Sequence, residues 1–321
     1  MMPPRCRPRV QLPGAARERG LTLAEMLVAL AVGLAVVLGA GRLLGLASAA
    51  YAAQVEAAAI DDGGRYALDL IGRAVRQAAW TDPGGGAGPG ADPDTAPARV
   101  AGLDARSLAR TTAAIDDPLP DAVNGSDVLA LRFSGAGAAP DGDGSVLGCA
   151  GFAYAEGEEG WSIFYVARNA EGEAELRCKY RGTSNWSADA LVGGVDGFQV
   201  LYGVDTDTPR DFVANRYLNA GAIAALDAAL GLGADVDELH RHTHWKRVVS
   251  VRVGLLLHGA RPTRLDAEAL DYDLLGLAYT ASGAAAADPG ATLREARMPA
   301  ALRARERRLF TATVALPPVL P

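Results

Sequence analysis

The chain has 321 residues and a net charge of −7, with an isoelectric point near 5.2. This acidity argues against the basic patch that a nucleic-acid-binding surface needs, so we expect no nucleic-acid partner. Half of the residues are hydrophobic but only 6% are aromatic, and the length allows one large domain or two small ones.

The first feature in chain order is a basic leader followed by a long apolar run. Five arginines and one acid precede Gly20, and the run from Leu21 to Leu46 contains a single acid, Glu25. As a helix this run would be about 39 Å long, and a membrane span needs about 20 residues. The arginines predict that the leader lies in the cytoplasm and that the rest of the chain crosses the membrane once.

The junction between leader and apolar run resembles the start of a type IV prepilin: Gly20, then residues 21–24 (LTLA), then Glu25. In that family a membrane-bound prepilin peptidase cuts after the Gly and methylates the new amine. The resemblance therefore implies a leader of residues 1–20, a processing site at Gly20 and Leu21, and an assembly contact in which Glu25 pairs with the amine of a neighbouring subunit.

Two other interpretations of this segment are a plain signal anchor and a secretory signal peptide that is cut after the small residues at 47–49. The second would require an unusually long stretch before the apolar core and an acid, Glu25, inside it. Small residues are also common throughout this Ala-rich chain. The sequence therefore favours the prepilin interpretation.

The cysteines point to an oxidising compartment. Cys6 lies in the leader and would be removed, which leaves Cys149 and Cys178 as an even pair in an exported domain. A disulfide is the natural prediction for such a pair, and two buried free thiols are the alternative.

After the transmembrane and assembly helix of residues 21–46, a helical pattern continues as an amphipathic segment over 47–80. Leu68, Ile71, Val75 and Ala78 form one apolar stripe, which predicts packing against a β-sheet. The pair Gly63-Gly64 is predicted to interrupt this helix and soften it locally. Residues 81–126 are predicted to be a Gly/Pro-rich linker and loops.

Residues 127–321 are predicted to form a β-rich periplasmic head with an inserted helix near 220–233. The predicted fold class is α+β and type IV pilin-like: a long N-terminal helix, membrane-spanning in its first half, packed on an antiparallel β-sheet head. The strand candidates are 127–134, 146–154, 161–168, 174–181, 197–204, 247–258 and 309–316.

Four segments resemble the PilW-type minor pilins of type IV pili. They are GRYALDLIGRAVRQAAW (64–80), GVDGFQVLYGVDTD (194–207), WKRVVSVRVGLLLHG (245–259) and RRLFTATVALP (307–317). The resemblance implies a minor pilin that takes part in assembly or priming of the pilus, sits in the inner membrane with a periplasmic head, and can enter the extracellular pilus. Its implied partners are the prepilin peptidase, other minor pilins, the major pilin and the inner-membrane assembly platform.

Two groups of residues suggest metal ligands. Asp205, Asp207 and Asp211 lie in one loop with the alternating oxygens that hold Ca²⁺, but the Gly and bidentate Glu of a standard loop are missing, so a solvated turn is favoured. Strand alternation would place His240, His242 and His244 on one face suited to Zn²⁺ or Cu²⁺, although an exposed polar strand start is favoured.

The sequence contains neither a G-x-S-x-G elbow nor a P-loop, so we predict no enzyme active site and no cofactor. The alternatives to a minor pilin are a type II secretion pseudopilin that resembles the J subunit, or a membrane-anchored periplasmic binding protein or enzyme.

Overall fold

The structure, a computed structural model, describes residues 20–78, 95–233, 235–264 and 268–317. The chain divides into two compact units, one ending at Tyr51 and the other beginning at Ala52. One helix, α1, spans Leu23–Ala78 and contributes residues to both units. The predicted fold class, a long N-terminal apolar helix plus an antiparallel β head, is confirmed.

The part of α1 in the first unit is apolar on every side. Its large hydrophobic side chains, from Leu23 to Tyr51, are all exposed, and Glu25 and Arg42 are its only charged residues. A helix that is hydrophobic all round belongs in a membrane or in a packed helical core. Among the described residues, this is the one helix long and apolar enough to cross a membrane.

In the second unit α1 has one buried face. Ile60, Ala67, Ile71 and Val75 are buried in the main hydrophobic core, whereas the charged residues of the opposite face are exposed. The apolar stripe predicted from the sequence is therefore the packing face of this helix.

The first sheet has five antiparallel strands in the order β1-β2-β3-β4-β5, so each strand pairs with its neighbour in sequence. Its bounds are β1 Val100–Leu103, β2 Val128–Ser134, β3 Glu159–Arg168, β4 Ala174–Arg181 and β5 Trp186–Gly193.

The second sheet has four antiparallel strands in the order β11-β8-β6-β7, and a two-stranded sheet pairs β9 with β10. The remaining strands are β6 Val195–Val204, β7 Arg216–Leu218, β8 Val248–Pro262, β9 Asp271–Asp273, β10 Thr292–Arg294 and β11 Arg305–Ala315. The shorter helices are α2 Ala220–Ala229, α3 Val236–His242, α4 Leu277–Ala281 and α5 Ala300–Arg303.

The main core lies where α1 meets the inner faces of both sheets. Alternate residues of the strands point into it, for example Phe164 and Val166 of β3 and Val251, Val253 and Leu255 of β8. On the outer side, a strap of residues 104–122 covers the first sheet through Leu108 and Ile115, and segments from 270 to 298 cover the second sheet.

One strand prediction was wrong. Residues 146–154 form no strand and contain only an isolated bridge, because Gly148 and Gly151 lie in a turn and Gly151 has a φ of +82°. Five strands were missed, namely β1, β5 and the three-residue strands β7, β9 and β10. β5 is a half-exposed edge strand with little apolar alternation, and β1 lies inside the stretch 81–126 predicted as linker and loops; residues 81–94 of that stretch lie outside the described residues.

The predicted break at Gly63-Gly64 was also wrong, because α1 continues through both glycines. Their role is close packing: a Cβ at Gly64 would overlap the ring of Phe310 on β11, and a Cβ at Gly63 would approach Val192 Cγ1 of β5 to 3.1 Å. The two glycines therefore let the helix lie directly against one strand from each sheet.

Candidate functional site

The N-terminal segment places the predicted processing and assembly residues next to each other. Gly20 and Leu21 are exposed and precede the helix, which begins at Leu23. Thr22 and Glu25 form a capping box: the Glu25 carboxylate accepts hydrogen bonds from the Thr22 N–H (2.9 Å) and hydroxyl (3.0 Å), and the Glu25 N–H donates to Thr22 Oγ1 (3.3 Å).

This geometry gives Glu25 a local partner in the isolated chain. All three hydrogen bonds stay within the first turn, and the Thr22 backbone N–H and hydroxyl both donate to a single carboxylate oxygen, Oε2. The negative charge also lies at the helix end where the macrodipole favours it. The T-x-x-E spacing at Thr22 was the sequence signal for this cap, and the assignment of Glu25 to an assembly contact stays a prediction.

A second carboxylate on α1, Glu56, connects the helix to β8, a contact that was not predicted from the sequence. Glu56 is buried, and its Oε2 accepts the backbone N–H of Ala260 (2.8 Å) and of Arg261 (3.4 Å) near the end of β8. The Arg261 Nε lies 3.7 Å from Glu56 Oε1. These contacts fix the first turns of the second unit onto β8. They link residues about 205 positions apart, so no local pattern could reveal them.

A buried ionic cluster lies two residues earlier on β8, around His258. Its Nδ1 is 3.1 Å from Asp196 Oδ1 and its Nε2 is 2.7 Å from Glu173 Oε1, and Arg307 Nε contacts the other Asp196 oxygen at 2.7 Å. Burial alone would lower the pKa of His258, but the two carboxylates outweigh it and raise that pKa. The cluster joins the beginnings of β6 and β11 to the far half of β8.

The disulfide prediction is confirmed. Cys149 and Cys178 are bonded to each other, with their Cα atoms 5.9 Å apart, and both are buried. The bond ties the irregular loop before β3 to the middle of β4. The alternative of two free thiols is thereby excluded.

The acidic loop after β6 does gather its three carboxylates. One oxygen each from Asp205, Asp207 and Asp211 lie within 4.8 Å of one another. Asp205 is buried and accepts backbone N–H groups from Asp207 (3.0 Å) and Phe212 (2.9 Å), and Arg210 Nε lies 3.7 Å away. Burial raises the pKa of Asp205, but these N–H donors outweigh it and lower that pKa. The loop thus satisfies Asp205 with its own groups, and Ca²⁺ binding stays a prediction.

The predicted histidine face was wrong. His240 and His242 lie on helix α3, and His244 follows in a 3₁₀ turn, so strand alternation does not apply to them. Each has a separate partner: His240 Nδ1 contacts the Thr95 carbonyl, His242 contacts Glu238, and His244 Nδ1 contacts Asp227 at 2.7 Å. The strand prediction failed because Asp235 caps a helix here, accepting two N–H groups of its first turn.

Known proteins resemble this chain in a family match and in a solved structure. No curated protein sequence matches the chain. Among solved structures, the chain is similar to a type IV-like pilin from Thermus thermophilus, at 12% identity and a TM-score of 0.35, covering 81% of this chain and 97% of that one. The family model of PilW, type IV pilus-assembly protein W, matches residues 163–317. The matched residues run from within β3 to just past the end of β11, so the similarity to this family lies in the β-rich head.

Proposed function

We propose that this chain is a minor pilin that takes part in assembly or priming of a type IV pilus. It is inserted in the inner membrane by the first part of α1, is cut by prepilin peptidase between Gly20 and Leu21, and has its new amine methylated. Its role is structural rather than enzymatic. Its partners are the peptidase, other minor pilins, the major pilin and the inner-membrane assembly platform.

The observation that carries this proposal is the exposed apolar first part of α1, which follows the Thr22–Glu25 cap, on a chain whose residues 163–317 match the PilW family. An ordinary membrane anchor needs apolar length but no acid near its start. A helix that must leave the bilayer and pack among other helices gains from one charged group that pairs with a specific partner. Glu25 is the only acid in the apolar run.

Substitution of Glu25 tests the proposal, because two changes separate its capping role from its charge. Glu25→Gln keeps an oxygen that accepts the Thr22 N–H but removes the charge, whereas Glu25→Ala removes both. We expect both variants to insert and to be cut after Gly20, since neither makes the segment less apolar in its core. We expect both to be depleted from sheared pili and to accumulate, processed, in the membrane.

The measurement is immunoblotting of membrane and pilus fractions, with Thr22→Val as the matched control that weakens the cap and leaves the carboxylate. Wild-type amounts of Glu25→Gln in pili would show that Glu25 acts as a helix cap and not as a charged assembly contact. Normal piliation with Glu25→Ala would contradict the assembly role altogether.

A further inference from the structure

The last strand, β11, forms an open edge of the second sheet. It pairs with β8 on one side only, and no other described strand pairs with its second side. From Leu309 to Pro317 the edge carries no charged residue. Leu309, Thr311, Thr313 and Ala315 are all exposed. A long, uncharged and regular edge of this kind is a template for pairing with another strand.

The register shows which backbone groups this edge offers. Leu316 N–H donates to the Val249 carbonyl at 2.8 Å, so this pair is hydrogen-bonded. Hydrogen-bonded pairs alternate along an antiparallel ladder, and the register is unbroken from Arg307 to Ala315. The N–H and C=O groups of Thr311 and Thr313, at odd positions, therefore point away from β8 toward the open edge.

The other edges of the two main sheets are protected. β7 has only three residues and β1 only four. Helix α2 contacts the residue that follows β1, because Asp104 accepts hydrogen bonds from the backbone N–H groups of Ala220 (2.9 Å) and Gly221 (2.7 Å). β5 carries a charge, Asp189, and a bulge in its pairing with β4. Charges, bulges and short length are the usual devices that keep edges from pairing, and β11 has none of them over residues 309–315.

We infer that β11 adds a β-strand from the head of a different pilin subunit. The partner segment is an extended, uncharged stretch whose backbone pairs with Thr311 and Thr313. This inference rests on the proposed function, because it takes the partner from the same pilus.

A second copy of this chain does not fit the edge. All neighbouring strands in the two main sheets of the head are antiparallel. If two copies of β11 also paired in antiparallel fashion, a two-fold axis normal to the sheet would relate the two copies. Such an axis would point the α1 segments that lie on the two sheets in opposite directions. The head segments of the two copies would then begin, at Ala52, at opposite ends of the pair, whereas the residues before Ala52 would anchor both copies in one membrane, so the partner strand is a non-equivalent one.

The first test is site-specific photo-crosslinking in piliated cells that express the full chain. A benzophenone side chain replaces Thr313, and the control places it at Asp189 on β5. We expect a covalent adduct with a different pilin from position 313, identified by mass spectrometry, and none from position 189. An adduct with a second copy of this chain, or no pilin adduct from position 313, would overturn the inference.

The second test removes one outward N–H group. Thr311→Pro deletes a donor that faces away from β8, which an edge strand tolerates, and Thr311→Val is the matched control that keeps the donor. With the crosslinker at 313, we expect the adduct to fall about tenfold for Thr311→Pro and to stay unchanged for Thr311→Val.

A third variant covers the case in which proline disturbs the strand. Thr311→Lys keeps the backbone intact and adds the charge that natural edges use against pairing, so its adduct should also fall. Equal adducts from all three variants would contradict the inference. If the wild-type chain is absent from pili, the proposed function fails; if it is present but forms no adduct with another pilin through position 313, only the β11 inference fails.

Discussion

Lys179 of β4 is a fully buried cation with a neutral partner. Its amine donates to Thr112 Oγ1 of the covering strap at 3.0 Å and lies 5.7 Å from the Trp186 ring centre. Burial lowers the pKa of this amine to about 8, and the negative charge of Asp116 raises it by a smaller amount. A protonated amine in this place costs stability, because burial penalises the charged form.

We therefore predict that Lys179→Met raises the unfolding free energy at pH 7 by roughly 1–3 kcal/mol. In the wild-type protein the unfolded state binds more protons between pH 8 and about 10.4, so stability should rise as the pH increases through that window. Thermal melting of the full chain in detergent at several pH values measures both effects. Lys246→Met is the control, and a Lys179→Met variant that melts lower than wild type at pH 7 would contradict the account.

At the scale of elements, the helix α1 depends on glycine where it crosses β11. We predict that Gly64→Ala lowers the unfolding free energy by roughly 1–3 kcal/mol, because the new methyl group overlaps Phe310 in a packed core. Gly72→Ala is the matched control: its Cβ would lie 3.4 Å from the nearest atom, Arg76 Nη1, and alanine gains up to about 1 kcal/mol over glycine in a helix.

Chemical denaturation followed by circular dichroism distinguishes the two variants. Gly64→Ala combined with Phe310→Leu should recover part of the loss, because the smaller side chain makes room for the methyl group. If Gly64→Ala were as stable as Gly72→Ala, close packing would not explain the glycine pair.

The elements that the sequence predicted best are those with an unmistakable period. Helix α1, the strands at 161–168 and 174–181, and the long strand beginning near 247 were all found from local alternation or helical spacing. The edge strand β5 was missed because its outer positions need no apolar residues. The glycines at 63 and 64 were misinterpreted because the side chains that they make room for lie on β5 and β11, far away in sequence.

The same limit applies to the candidate site. The predicted prepilin junction, the disulfide pair and the acidic loop were each found from residues that are close together in sequence or are chemically distinctive. The contact of Glu56 with Ala260 and the cluster around His258 join distant segments through backbone or ionic contacts, so the sequence alone could not reveal them.

At the scale of the whole molecule, the disulfide should contribute strongly to the stability of the β-rich head. We predict that replacing both Cys149 and Cys178 with alanine lowers the unfolding free energy by roughly 3–4 kcal/mol, because the bond closes a loop with a sequence separation of 29 residues. The double variant should melt lower than wild type under oxidising conditions and equally under reducing ones. Thiol labelling of the unreduced, denatured mature protein should find no free sulfhydryl; labelling of both cysteines would contradict this role.

Our central proposal for the whole molecule is that this chain is made as a prepilin and works as a processed pilin. The mature N-terminus tests it most directly, by mass spectrometry of the protein from the membrane fraction of cells with and without prepilin peptidase. We predict a chain that begins at Leu21 with a methylated amine when the peptidase is present, and a chain that keeps residues 1–20 when it is absent. A mature start at Ala50, or the same N-terminus in both strains, would contradict the account.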